Sequence, residues 1–391
     1  MSPELLNQQA KEAFDNKDYK KALSILESIN APELIFNIAK CYYYTKQVHK
    51  AISLIEPIAS THDEIMDLAL YYNAIGDYEK AFQMYSGLDN SDPRIKFNLG
   101  WHYLRHNEFK KGFQNIQYGA KCRAWGSEYF LIEQGKLNPN KRWTGQFCSK
   151  LVLILEGGLG DEFIFIRWAN HLKQFCQTLT ISCDRKLVRL FTNSGYDVIP
   201  SDLITQIEYD FYIPAMSLPA IIDIDSPTQY VNFPYINSFA EPYIIKQLDL
   251  LSGNRKKIGI RWQGNPEFEH DQHRTIPKES LRSLEKYGQL FSIQLDDDLD
   301  GIPNCKHLIN DWQDTYSIFS GLDLLVTSCT STAHLAGAMG IPCIVMVPLV
   351  SYFCWASKDQ PWYPTLKVIY QKDYDNWDSA FFELYNIMDS L

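Results

Sequence analysis

The stretch Val326-Thr-Ser-Cys-Thr-Ser-Thr-Ala-His-Leu-Ala-Gly-Ala-Met-Gly340 carries the residues whose types and spacing most readily do chemistry. An apolar run feeds a hydroxyl-rich turn, and the turn opens a helix that carries His334. Thr330, Ser331 and Thr332 can present hydroxyls and unbonded backbone N–H groups at the positive end of that helix, which is what a diphosphate requires. The same residues also serve as ordinary helix N-caps.

A second candidate is Leu151-Val-Leu-Ile-Leu-Glu-Gly-Gly-Leu-Gly-Asp161, an apolar strand leading into a glycine loop and then a helix expected over 162–174. The loop backbone, Gly160 included, can approach a ligand closely. Asp161 can accept a proton from a hydroxyl or, as an acid just before a helix, cap it. The third is Lys257-Ile-Gly-Ile-Arg-Trp-Gln-Gly-Asn265 with the polar loop beyond it. Gln263, Asn265, His270, Asp271, His273 and Arg274 would gather at a cleft edge. Arg274, permanently charged and forked, is the natural diphosphate partner. Gln294, at the end of the apolar run 290–295, can read a base edge, and the segment Asp311 to Tyr316 can hold a ribose or base. The run Asp296-Asp-Asp-Leu-Asp300 reads as a solvated loop in preference to a metal site.

These segments need a frame that places them together. Short apolar runs at 151–155, 179–182, 209–213, 257–262, 290–295, 322–327, 343–348 and 366–370 alternate with helical stretches, the pattern of parallel sheets. They fall into two groups, so two Rossmann-like halves are expected, with ligands at the carboxyl ends of the strands. Before them, four segments align: Asn16-Lys-Asp-Tyr-Lys-Lys-Ala22, Thr45-Lys-Gln-Val-His-Lys-Ala51, Ile75-Gly-Asp-Tyr-Glu-Lys-Ala81 and His106-Asn-Glu-Phe-Lys-Lys-Gly112. A polar turn, an aromatic or apolar residue and a small residue recur in each, as in paired helices of a repeat array. The expected organisation is an array over 1–125, a connector over 126–149, a first half over 150–245 and a second over 246–391.

The 391 residues are 46% hydrophobic and 21% charged, as in a packed protein, and the formal charge of -10 argues against a broad nucleic-acid or anionic-membrane footprint. No apolar run approaches the roughly 20 residues that span a bilayer, and the polar start lacks a signal-peptide pattern, so a cytoplasmic location is expected. Nine scattered cysteines without a Cys-x-x-Cys pair fit reduced, mostly buried thiols.

Taken with Lys141-Arg-Trp-Thr-Gly145, His273-Arg-Thr-Ile-Pro277 and Pro361-Trp-Tyr-Pro364, these motifs resemble tetratricopeptide-repeat glycosyltransferases of the GT-B fold. That group is related to the heptosyltransferases and, more distantly, to the O-GlcNAc transferases. The resemblance implies helical repeats followed by a GT-B fold. It implies an inverting, metal-independent transfer from a nucleotide-diphosphate sugar to a hydroxyl, without further cofactor. It places Asp161 as the base and Arg274 with the Thr330–His334 turn on the donor diphosphate. Cys329 stands where many relatives carry Asp, which removes a contact through that carboxylate. The expected partners are the nucleotide sugar, a protein or glycan acceptor engaged by the repeats, and a second copy in a homodimer. Two alternatives stay open: a non-catalytic nucleotide-sugar-binding scaffold, and a nucleotide-sugar epimerase of the same fold.

Overall fold

The computed structural model describes residues 2–29, 31–124, 126–266, 271–357, 362–373 and 376–391. Two compact units divide between His102 and Tyr103.

The first unit is a run of antiparallel helix pairs: α1 (Pro3–Asp15), α2 (Tyr19–Ile29), α3 (Ile35–Tyr44), α4 (Val48–Ile55), α5 (His62–Ala74), α6 (Tyr78–Ser86) and the start of α7 (Pro93–Arg105). The aligned small residues Ala22, Ala51 and Ala81 are fully buried. Around them, Tyr19 stacks on Tyr44 at 4.4 Å and Tyr43 on Tyr71 at 5.0 Å. The repeated turn has a common backbone form. Lys17, Lys46, Gly76 and Asn107 all have positive φ, and the N–H of the next residue reaches back to the carbonyl five positions earlier (Asp18 to Ala13, Gln47 to Tyr42, Asp77 to Tyr72, Glu108 to Tyr103). This is the Schellman closure of a helix end, which favours glycine at the left-handed position. Lysine holds that place twice at a steric cost. Lys46→Gly is therefore expected to stabilise the chain by about 0.5–1 kcal/mol, read by denaturant unfolding. A loss of stability would show that the turn is not left-handed there.

Helix α8 (Phe109–Ile116) packs within the second unit, not with an array ending at 125. Its apolar face explains why: Phe109 and Phe113 meet Trp362 edge-on, and Phe113 also meets Trp168. The connector is likewise part of this unit. Glu128 accepts from Arg142 and from the Tyr212 hydroxyl, and Trp143 is buried with its backbone N–H on the Tyr212 carbonyl.

The second unit holds two wholly parallel sheets. The first contains β1 (Cys148–Ile154), β2 (Cys176–Cys183), β3 (Val198–Pro200) and β4 (Phe211–Pro214) in the order β3-β2-β1-β4. The second contains β5 (Lys257–Arg261), β6 (Gln289–Ser292), β7 (Leu324–Ser328), β8 (Cys343–Val347) and β9 (Leu366–Tyr370) in the order β6-β5-β7-β8-β9. Inner strands are apolar on both faces; every residue of β8 is buried. In each sheet the chain winds outward one way and then returns to wind the other, so the order reverses between β1 and β4 and between β5 and β7. These reversal points open crevices at the carboxyl ends of their strands.

Three elements differ from expectation. Strand β3, short and at an edge, is not among the expected apolar runs. Strand β6 stops at Ser292, which puts Gln294 in the following loop. The helix expected over 162–174 starts earlier, at Leu159, and is broken into the α-helical pieces Leu159–Phe165 and Ala169–Leu172 joined by tighter turns. The run Phe163 to Ala169 is buried on all sides, so no amphipathic period governs it.

Candidate functional site

At the β5/β7 reversal, Arg261 is the last residue of β5 and pairs in register with Thr327 of β7. Beyond β5 the chain turns through Gly264, whose N–H donates to Asp271 Oδ1 at 3.0 Å, and Arg274 Nε donates to the same oxygen at 2.7 Å. Asp271 is buried, so this pair fixes the guanidinium. A side chain at position 264 would collide with both Arg274 and Asp271, which accounts for glycine there. Burial pushes the Arg261 guanidinium down to about 10, with Asp296 and Asp271 opposing the shift and Arg274 adding to it. Two cations thus share one strand end.

Beyond β7, Thr330 is the N-cap of the helix Ser331–Met339 but makes no side-chain cap bond. Its hydroxyl is committed elsewhere. Thr327 Oγ1 donates to the Ser328 carbonyl at 3.0 Å, so Thr332 Oγ1 donates to Thr327 at 2.9 Å and Thr330 Oγ1 donates to Thr332 at 2.7 Å. The hydroxyls of Thr330 and Thr332 therefore brace the turn. The first-turn N–H groups of Ser331 and Thr332 have no carbonyl acceptor within the helix, and with the half-buried Ser331 hydroxyl they are the donors the turn can offer an anion. The Cys329 thiol is buried and pushed up to about 11 by that burial, with Arg274 partly opposing.

His334, one turn into this helix, is buried, and its Nδ1 lies 2.9 Å from the Tyr363 hydroxyl. Burial, reinforced by the charges of Arg167 and Arg274, pushes it down to about 3, so the imidazole is neutral. It can exchange a hydrogen bond with a ligand but adds no charge. A Cβ built at Gly160 would lie 3.0 Å from His334 Cδ2, so the glycine loop of the first sheet packs on the helix that follows β7.

That loop leads from β1, at the other reversal point. Asp161 stands in the first turn of Leu159–Phe165, not before it. Gly158 is the N-cap residue, and its N–H donates to Asp161 Oδ2 at 2.9 Å. The Tyr352 hydroxyl donates to Oδ1 at 2.8 Å. Burial raises the Asp161 pKa, and the two donors only partly offset it. A carboxylate so placed is a better proton acceptor near neutral pH than an exposed one.

Other expected residues take different roles. Gln294 is buried, with its Oε1 on the Gln263 N–H at 3.3 Å and its amide on Asp296; Gln263 Nε2 reaches Asp296 at 3.3 Å. Both glutamines line the β5 end without being brought to the hydroxyl turn. Asn265 is exposed and His273 partly so. His270 and Pro361 lie outside the described residues. The Asp311–Tyr316 segment is consumed by packing. Asp311 caps its own helix at the N–H groups of Gln313 and Asp314, Arg189 pairs with both acids, and the Tyr316 hydroxyl donates to the Ser238 carbonyl at 2.8 Å. In the acidic loop, Asp297 pairs with Lys278 and Asp298 with Lys306.

Four residues beyond the sequence-based set belong to the site or support it. Arg261 carries a readable signal, a cation at the carboxyl end of a buried strand. Tyr352, contributed from 191 positions away, carries none. Glu156 and Glu162 bracket the glycine loop. Glu156 accepts from the Ser127 N–H at 2.8 Å and Glu162 from the Asp184 N–H at 3.0 Å.

No family model matches the chain. It is 24% identical over 285 residues to the protein FlbA of Caulobacter vibrioides, a match covering 61% of this chain and 46% of FlbA. The chain thus spans less than half the length of that relative. Among solved structures it is similar to the ADP-heptose LPS heptosyltransferase II of E. coli, with a TM-score of 0.43, 12% identity, and 62% of this chain and 99% of that chain covered. A family 9 glycosyl transferase of Veillonella parvula gives a TM-score of 0.44 at 11% identity, covering 64% of this chain and 90% of that one. The iron-containing dodecameric glycosyltransferase TibC of enterotoxigenic E. coli gives 0.43 at 11% identity, covering 63% and 78%.

Proposed function

We propose that the two-sheet unit is a glycosyltransferase of the GT-B kind, which moves a sugar from a nucleotide-diphosphate donor to a hydroxyl acceptor with inversion and without a metal. The observation that carries this reading is the placement of Arg261 and Arg274 at and beyond the end of β5, with the Arg274 charge acting on Cys329 in the turn that opens Ser331–Met339 and Gly160 of the other sheet against His334 of the same helix. Two fixed guanidiniums and unbonded helix N–H groups suit a diphosphate, and the half-buried Asp161 carboxylate suits a proton acceptor.

In this reading the acceptor oxygen attacks the anomeric carbon. Asp161 takes the acceptor proton, and the bond to the diphosphate breaks with its electron pair leaving on the phosphate. Arg261, Arg274 and the helix start stabilise that charge, the larger contribution to rate. His334, neutral, takes a hydrogen bond instead of a charge contact. The helical pairs of the first unit, with their shared turn, are read as tetratricopeptide-like repeats that engage the acceptor.

The test is a thermal-shift and calorimetric screen of the full chain against nucleotides and nucleotide sugars, repeated on Arg274→Ala. Binding of one nucleotide diphosphate family is expected, weakened by about 2 kcal/mol, or about 30-fold, in the variant. No binding across the panel would sink the proposal. Binding that Arg274→Ala leaves unchanged would move the diphosphate away from the β5/β7 end.

A further inference from the structure

The segment after β8 crosses to the glycine loop. Its inner face is anchored by Phe353, Cys354 and Trp355, all buried, with Phe353 edge-on to Trp362 at 5.3 Å. Its ends are tied as well. Arg105 donates to the Ser351 carbonyl at 2.5 Å and to its hydroxyl at 3.2 Å, Asn107 donates to the Ser357 hydroxyl at 3.2 Å, and the Tyr370 hydroxyl donates to the Ser357 carbonyl at 2.8 Å. Between these ties Tyr352 is 38% exposed, its ring 4.5 Å from that of Phe353, and its hydroxyl donates to Asp161 Oδ1. The strap is held on both sides of a single side chain that faces solvent and touches the carboxylate.

A phenol donating to a carboxylate reproduces the contact an acceptor hydroxyl makes with a base before it reacts. Asp161 Oδ2 is already engaged by the Gly158 N–H, so Oδ1 is the oxygen on which an acceptor would place its proton. We propose that the Tyr352 hydroxyl holds the acceptor's place on Asp161 Oδ1, keeping water off the base until the acceptor hydroxyl displaces it. The proposal rests on the glycosyl-transfer reading above. Although the side chain is 38% exposed, the protein crowded around its hydroxyl, and then the Asp161 charge beside it, raise the Tyr352 phenol well above its ordinary range, so it remains a donor throughout the neutral pH region.

The reaction so prevented is hydrolysis of the donor. Water would attack the anomeric carbon and give its proton to Asp161, while the carbon–oxygen bond to the diphosphate breaks and its electron pair leaves with the nucleoside diphosphate. Removing the phenol oxygen while keeping the ring opens that route.

The test compares the full chain with Tyr352→Phe, using the nucleotide sugar found in the screen and no acceptor. Release of free nucleoside diphosphate and free sugar is expected to rise about tenfold in the variant, a fraction of what an accessible general base contributes, with donor affinity within about twofold. Equal or slower hydrolysis at unchanged donor affinity would overturn the proposal and leave the glycosyl-transfer reading standing. Failure of every nucleotide sugar to bind would remove both.

A second readout needs no donor. The titratable groups near Asp161 are Tyr352, Glu162 and Cys354. Loss of the phenol donor should raise the Asp161 midpoint, followed by its carboxyl-carbon resonance, by about one pH unit. An unmoved midpoint would show that the hydroxyl does not sit on Oδ1 in solution.

Discussion

Asp161→Asn is expected to lower the turnover number for sugar transfer about 10³-fold while leaving donor affinity within about twofold. The amide matches the carboxylate in size, and its oxygen can still accept from the Gly158 N–H, so the start of the helix Leu159–Phe165 is kept. It cannot take a proton at neutral pH. The competing role, a carboxylate that only closes the first helical turn, predicts a different pattern: transfer nearly unchanged and a stability loss of about 0.5–1 kcal/mol. Turnover and thermal unfolding measured on the same preparation separate the two. A variant that transfers sugar at near the parental rate would remove Asp161 from the chemistry.

The sequence makes the frame readable because burial on both faces leaves a plain mark. Val152, Ile154, Ile258, Ile260 and Val326 stand in apolar runs too short for helices and bounded by turns. The hydroxyl turn was legible for a similar reason. Hydroxyl residues that follow an apolar run favour the start of a helix, and the helix does begin at Ser331. The repeated turn showed in its residue types, although lysine conceals the left-handed geometry at two of its four sites.

Partnership was harder to read than position. Asp311 and Asp314 have the chemistry of ribose ligands, but the same carboxylates cap a helix and neutralise Arg189, a residue more than a hundred positions earlier. Thr330 and Thr332 look like ligand donors, yet their protons run along a chain of hydroxyls to the Ser328 carbonyl. The Tyr352–Asp161 contact joins two sheets and depends on the whole tertiary arrangement. Local pattern fixes which residues reach a strand end; it does not fix which of them have already spent their hydrogen bonds within the protein.

Stability should fall as pH rises from about 5 to 9, with Glu156 and Glu162 as the cause. Both are buried beside the glycine loop. Burial raises Glu156 to about 7, with the Glu128 charge adding to the shift and the Ser127 and Met216 N–H groups opposing it. Burial raises Glu162 to about 8, against the Asp184 N–H. In the unfolded chain both titrate near the ordinary carboxyl value. Between that value and the folded ones, the native state therefore holds protons that the unfolded state has lost. Stability is complete below the unfolded pKa and drains as pH climbs through 7 and 8, by as much as about 1.4 kcal/mol per pH unit for each group that is protonated only in the folded state. With folded values of about 7 and about 8 the pair loses as much as about 7 kcal/mol between pH 5 and pH 8, and the curve flattens above that. The double variant Glu156→Gln with Glu162→Gln keeps an oxygen to accept those N–H bonds and cannot ionise. Urea midpoints taken at pH 5, 7 and 9 should decline in the parent and stay nearly level in the variant. Parallel declines would assign the alkaline loss to other groups and imply that these two carboxyls are already ionised at neutral pH, held by the amides of Ser127 and Asp184.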